Sequence, residues 1–544
     1  MLSVPFRVLC LLAVMLALLD PAFSRTASPP DLPDQWILVH PPSYARALAP
    51  LIEHRKKQGL KVVVVPTSEV LSPEQIRRGE HEPLREHLRQ LCRKHSGRSH
   101  ILLAGAIGAP GTTDPQNSLV PTGRGTISRM KGQPTDHGYA SHPDQPGLVT
   151  AVGRFPARTV EEVEGMVAKT LAYENLRPGL WKRRLTVLAG IPAYNPLVDR
   201  LLEGAALARF ERMDPAWTGK VVYTAGHSRF FLPDALLRLQ SLAYIRQGQA
   251  YLLYLGHSSA EGLYAGPTAD FLSREDFAGL RIDTGQTIFF TFGCNGCQLT
   301  GENGEGYGIH AMRNPQGPAA VIGSHGICFA SMVQLGAEGV FRRALQQPMS
   351  PILGDTWLSL LTGIREGRID PLTYRMLDTV DGDRKIPQAI QRKEHQEMFV
   401  LLGDPALRLP SVPQLNDWKT DPEFVPGGRI HLSGRLPPDL ASARIRVSVE
   451  RTATSLPTEL EAVPADPGPL RDRTQMANHL KANRFVVAET QAKAEGRAFS
   501  AQLELPGTLP WAELVVRVVA MNATAEAMGT RIIKKAPTEE KPTP

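Results

Sequence analysis

The sequence predicts an α/β protein: a parallel sheet flanked by helices in two subdomains, followed by a β-sandwich. Three observations carry this. From residue 36 to about 410, short apolar runs alternate with helix-length segments, the pattern of strands joined by crossover helices. At 544 residues the chain is too long for one hydrophobic core. Beyond residue 415 the spacing changes to short alternating runs separated by Pro, Gly and Asp.

The N-terminus reads as a targeting segment. Arg7 precedes an apolar run at 8–19, and Ala22 and Ser24 suit a cleavage after Ser24. Residues 1–24 are therefore expected to be a secretory signal peptide, too short for a stable membrane span.

The first subdomain is expected over 25–180. WILVH at 36–40 is a strand, 43–58 a helix stopped by Gly59, and KVVVVPT at 61–67 a second strand. One helix over 72–94, opened by a Ser-Pro cap, leads to the strand HILLAG at 100–105. Residues 106–149, rich in Gly, Pro and Asp, read as a flap or a stretch wrapped over the sheet. They include TDHGYA at 135–140 and lead into LVTAVGRFPA at 148–157. A helix over 159–175 follows, with Thr159 as cap and Glu161 to Glu164 at the positive end of its dipole.

The second subdomain is expected over 181–410. Its strands are LTVLAG at 185–190, KVVYTAG at 220–226, YLLYL at 251–255, TIFFTF at 287–292 and AAVIGS at 319–324. Helices are expected at 196–213, 232–247, 331–346 and 352–364, and FVLLGDPALRLP at 399–410 closes the unit. The alternating runs over 411–533 suggest an antiparallel sandwich of immunoglobulin-like type, and the charged, Pro-rich 534–544 a disordered tail.

Chemistry concentrates at two strand ends. The run 251–255 leads into Gly256 and His257, and the run 287–292 leads into Gly293 and Cys294. If both are parallel strands, the two side chains emerge at their C-terminal ends, where open α/β sheets place ligands. A histidine beside a cysteine is the minimal thiolate–imidazole pair. Cys294 would attack a carbonyl and His257 would protonate the leaving amine. The N–H groups of Cys294 and Ser258 are the natural oxyanion donors.

Other readings share these residues. GHSSA at 256–260 fits a relaxed nucleophile elbow, which would make Ser258 the nucleophile of an α/β-hydrolase, although no helix-forming segment follows it. Cys294, Cys297, His325 and Cys328 have the spacing of a metal site, and Cys294 with Cys297 that of a redox disulfide. GENGEGYG at 301–308 does not follow a strand and reads as a loop, while His137, His310 and His395 read as ordinary surface or core histidines.

Composition narrows the partners. Hydrophobic content of 42% and charged content of 21% are those of an ordinary globular protein. The net charge of +7 is spread out, with no basic run interleaved with aromatics, so nucleic acid is not expected. The four cysteines outside the signal segment are too sparse for a disulfide scaffold.

Between 36 and 410 these segments resemble the gingipain-like cysteine peptidases, relatives of the caspases. ILLAGAIGAP, TDHGYA, VGRFPA, LLYLGHSS, FFTFGCNGC and FVLLGDPALRLP follow the family's order. The resemblance implies a caspase-like fold, with Cys294 as nucleophile, His257 as its partner and an immunoglobulin-like domain next. Protein or peptide substrates, no required cofactor and a calcium ion that stabilises the fold are implied with it. Three departures stand out. Ser258 replaces the second glycine of the family's GHG, and Cys297 adds a thiol able to trap the nucleophile. The loop AGIPAYNP at 189–196 lacks the carboxylate with which family members orient the histidine. Asp199 lies near the place where members that cleave after Arg or Lys hold an acidic pocket residue. The implied protein is a secreted cysteine endopeptidase; the alternative is an inactive member that acts in surface binding or assembly.

Overall fold

A computed structural model describes residues 34–107, 118–140, 150–194, 196–211, 213–267, 269–300, 304–341, 345, 351–366, 385–452 and 460–537. The expected signal peptide lies outside them. Ten strands form one central sheet: β1 (Gln35–His40), β2 (Lys61–Pro66), β3 (Ser99–Ala104), β4 (Thr150–Phe155) and β5 (Arg184–Ala189), then β6 (Thr218–Tyr223), β7 (Tyr251–Leu255), β8 (Ile288–Phe292), β9 (Ala320–Ser324) and β10 (Phe399–Leu402). Their order is β2-β1-β3-β4-β10-β9-β8-β7-β5-β6.

The sheet is mixed, which corrects the parallel expectation. β10 runs parallel to β4 and antiparallel to β9. All other neighbours within each half are parallel. The two halves therefore run in opposite directions, with the closing strand β10 as the seam. Both halves face helices, and the C-terminal ends of β5 to β9 share one edge, away from the C-terminal ends of β1 to β4.

Most apolar runs became strands because they are buried on both faces. Every residue of β1, β3, β4, β8, β9 and β10 is buried. KVVVVP is less covered, with Lys61 and Val64 exposed, because β2 is an edge strand. The expected helix over 72–94 is two helices, Pro73–Arg78 and Glu82–Arg93. Gly79 separates them at φ +66°, the left-handed conformation that ends a helix. The Thr159 hydroxyl caps helix Val160–Glu174 by accepting from the Glu162 N–H at 3.2 Å.

Buried ion pairs join segments that lie far apart in the chain. Arg154 of VGRFPA donates to both carboxylate oxygens of Asp136 of TDHGYA, each at 2.7 Å, and to the Gly105 carbonyl at 2.8 Å. Asp404 of GDPAL is likewise enclosed. It accepts from Arg55 at 2.8 and 3.0 Å, from the Trp36 indole at 3.0 Å and from the Ala406 N–H at 2.9 Å. Arg55 also donates to Glu174 at 2.7 Å. These charges hold the flap and the closing segment on the first half-sheet; their role is structural.

The C-terminal region forms two sheets over a shared apolar core that includes Trp418, Ile430, Val447, Phe499, Val516 and Val518. The last strand, Glu526–Lys535, continues two residues into the stretch expected to be a tail. A helix that composition did not suggest, Pro469–Ala482, is inserted between two of its strands. This helix docks on β6. The Asn483 carboxamide accepts from the Val221 N–H at 2.7 Å and donates to the Val221 carbonyl at 2.9 Å, covering the exposed sheet edge as a strand would. His479 accompanies it, one ring nitrogen 2.9 Å from the Tyr244 hydroxyl and the other 2.9 Å from the Phe230 carbonyl.

Candidate active site

The sheet register aligns the two strand ends. Leu255 of β7 pairs with Phe292 of β8, and each is followed by a glycine and then by His257 or Cys294. Neighbouring parallel strands lie about 4.8 Å apart, so both side chains leave the sheet at one level on one edge. Gly256, at φ +152°, makes the turn after β7; a Cβ there would lie 2.7 Å from the Tyr254 hydroxyl and 3.0 Å from the Gly190 nitrogen.

His257 is held at its main chain and at its ring. Its carbonyl accepts from the Tyr264 N–H at 2.9 Å and from the Tyr254 hydroxyl. Its Nε2 lies 3.3 Å from the Pro192 carbonyl, in the loop after β5. Among the described residues no carboxylate bonds this ring. Burial raises the Tyr254 phenol well above the ordinary range, so it stays a neutral donor.

Ser258 begins a small antiparallel sheet formed by Ser258–Ser259, Gly262–Tyr264 and Asp270–Ser273. Its backbone is not among the left-handed residues, so serine fits without strain where the family has glycine. The Tyr264 N–H donates to the His257 carbonyl, which makes Ser258 and Leu263 a non-hydrogen-bonded pair. The Ser258 N–H accordingly points away from its hairpin partner. The side chain is buried and donates to the Cys294 carbonyl at 2.7 Å. The esterase reading is thereby corrected. The serine enters a hairpin instead of a helix, and its hydroxyl is enclosed and committed to a carbonyl.

Cys294 is half-buried, while Cys297 is completely buried, and neither is in a disulfide. Cys297 belongs to the core of Leu252, Tyr254, Phe289 and Val321; Cys294 packs against the core of Phe290, Phe292 and Ile322. Alternation along β7 to β9 puts those cores on opposite faces of the sheet. Facing the other core, Cys297 is not placed to trap Cys294 in a disulfide, and burial pushes its thiol far up. The chain between them turns at Asn295, φ +57°, with its N–H on the Gly326 carbonyl at 3.0 Å. The Cys297 N–H is on the Ser324 carbonyl at 2.8 Å. The Tyr307 hydroxyl bonds Thr291 of β8, and the Gly308 N–H donates to Gly296 at 2.8 Å, so helix Tyr307–Arg313 supports this turn from behind.

The metal reading is corrected for the same reason. Cys294 and Cys297 face opposite ways, and among the described residues no three His, Cys, Asp or Glu side chains converge to hold an ion. Among the described residues no acidic cluster is present for the calcium that the resemblance implies. His325 is buried beside the turn, its ring nitrogens without a hydrogen-bond partner, and burial pushes it down to about 4. His395 is a core residue whose Nε2 accepts from the Phe329 N–H at 3.0 Å. Asp199 lies in the first turn of helix Pro196–Glu211, after the loop that touches His257. It is 2% exposed, with one carboxylate oxygen unpartnered.

Sequence reasoning singled out His257 and Cys294 but missed the groups that hold them. Tyr254 and Tyr307 read only as apolar positions, and the Pro192 carbonyl belongs to a backbone that no side chain marks.

A family model described as peptidase family C25 matches residues 29–410. Gingipain R, an Arg-specific cysteine proteinase, shares the fold at a TM-score of 0.53 and 12% identity, over 94% of this chain and 100% of that one. The complex of the RgpB pro- and mature domains of Porphyromonas gingivalis gives 0.51 and 13%, over 92% and 100%. A structure described only as a protease gives 0.52 and 13%, over 93% and 98%. At such identities the likeness is one of fold. No curated protein sequence matches the chain.

Proposed function

The chain belongs to the cysteine peptidases of family C25, and from that premise we propose that it is an endopeptidase acting through Cys294 and His257. The observation that supports this is the paired register of Leu255 and Phe292, two residues before His257 and Cys294 on adjacent strands. The Cys294 thiol gives its proton to His257, and the thiolate attacks the scissile carbonyl carbon. The N–H groups of Cys294 and Ser258 stabilise the oxyanion. His257 returns the proton to the leaving amine, and a water that it deprotonates then hydrolyses the thioester.

Asp199 is the candidate for substrate recognition. A carboxylate oxygen shut off from water and unpartnered is costly unless a cation reaches it. An Arg or Lys side chain of the substrate would supply one. Export through residues 1–24 and an immunoglobulin-like character for the C-terminal sandwich belong to the same proposal. No helix among the described residues is long and apolar enough to cross a membrane.

One observation favours the alternative of an inactive binding or assembly protein: His257 has no carboxylate partner among the described residues. Alkylation of the reduced protein separates the two. Selective modification of Cys294, lost in His257→Ala, with hydrolysis of a mixed peptide library, is the expected result. Equal labelling of all four thiols without hydrolysis would overturn the peptidase reading.

A further inference from the structure

The loop after β5 offers His257 a backbone carbonyl, and hydrogen bonds hold the two residues that precede Pro192. Gly190 donates to Leu255 at 2.9 Å, tying the loop to the end of β7. The Ile191 N–H is shared between the Ala265 carbonyl at 3.0 Å and the Thr224 hydroxyl at 2.8 Å. The Thr224 hydroxyl itself donates to Ala265. Proline fixes its own φ at residue 192. Ala193 then takes φ +58°, a left-handed conformation that is unfavourable for a non-glycine residue. Strain of this kind persists only where the surroundings impose it, and it is common at functional sites. Here it turns the chain immediately after the carbonyl that meets His257.

We infer that the Pro192 carbonyl is the positioning group of the catalytic histidine, in place of a carboxylate; the inference rests on the peptidase reading above. A carbonyl can only accept, so the 3.3 Å contact requires a proton on Nε2. Neutral His257 is then the Nε2–H tautomer, and Nδ1 is the nitrogen that takes the Cys294 proton. The resulting imidazolium carries N–H on both nitrogens and keeps its bond to Pro192 throughout. A neutral acceptor sets the tautomer and the ring orientation as a carboxylate does, while stabilising the imidazolium less. The long contact is of the kind that tightens when substrate binds.

The test uses ¹⁵N-histidine NMR on full-length Cys294→Ala protein, with His257→Gln to assign the resonance. The expected result is a neutral His257 protonated at Nε2. Kinetics supply the second readout. Ala193→Val cannot readily hold the left-handed turn and should lower kcat on the order of tenfold with KM unchanged. Ala193→Asn, which tolerates that conformation, should restore kcat. An Nδ1–H tautomer in an enzyme that still hydrolyses peptides would overturn the positioning role and leave the peptidase reading standing. An unchanged kcat in Ala193→Val would also overturn it. An inert Cys294 in the wild-type chain would remove the peptidase reading, and this inference with it.

Discussion

The Ser258 hydroxyl donates to the Cys294 carbonyl at 2.7 Å, so the residue after His257 holds the main chain at Cys294. Gly293 makes room for this bond, since a Cβ there would lie 2.2 Å from the Ser258 oxygen. The serine that departs from the family pattern is thus a cross-strand tie between the two halves of the site. Ser258→Ala should cost about 1 kcal/mol of stability, the usual worth of one hydrogen bond, and lower kcat without changing KM. Denaturant midpoints and peptide hydrolysis check this, and an unchanged protein on both counts would contradict the tie.

Cys297 should be silent in the native protein. It is fully buried on the sheet face away from Cys294, where a Cβ at Gly308 or Gly323 would lie 2.8 Å from its sulfur. Site-resolved mass spectrometry should find it unmodified until denaturant is added. Cys297→Ser should destabilise by roughly 1–3 kcal/mol, because the hydroxyl gains no partner. Native labelling of Cys297 as fast as of Cys294 would refute its burial.

Asp404 should matter to stability. Asp404→Ala leaves the enclosed Arg55 with Glu174 and the Gln58 carboxamide and should cost roughly 3–5 kcal/mol. Asp404→Asn keeps an acceptor for the Trp36 indole and should cost less. Urea denaturation ranks the variants, and equal stability for all three proteins would show that the pair contributes nothing.

Lys169 should make stability rise with pH on the alkaline side. Its ammonium is buried behind helix Tyr307–Arg313 and donates to the carbonyls of Met312 at 2.7 Å and Asn314 at 2.9 Å. Burial pushes it down to about 7. Above its unfolded value of about 10.4 the lysine is neutral in both states and carries no penalty. As pH falls from there to 7 only the unfolded chain gains the proton, so the fold loses stability. Below 7 the loss is complete. Comparison of wild type with Lys169→Met isolates this group: the wild type should gain on the variant between pH 7 and 10. A constant difference would show that Lys169 titrates normally.

Much of the fold was legible in the chain. WILVH, HILLAG, YLLYL and IFFTF are strands because apolar runs of that length are buried from both sides. Thr159 and the Ser72-Pro pair announced helix starts through hydroxyls that accept backbone N–H groups. Other features were hidden because they depend on partners far away. The helix Pro469–Ala482 has no strong apolar stripe of its own and is stabilised by docking through His479 and Asn483.

By itself the sequence determined which residues can do chemistry, and that they stand at the ends of apolar runs: His257 after one glycine and Cys294 after another. Side-chain identity and the burial of short apolar runs are local properties, readable without coordinates. Only the tertiary structure decided that the half-sheets oppose each other across β10, and that Cys297 turns to the far face. It also decided that the partner of His257 is the carbonyl of Pro192. Those are relations of direction and register between segments distant in the chain, and a backbone carbonyl looks the same at every position until the fold aims it.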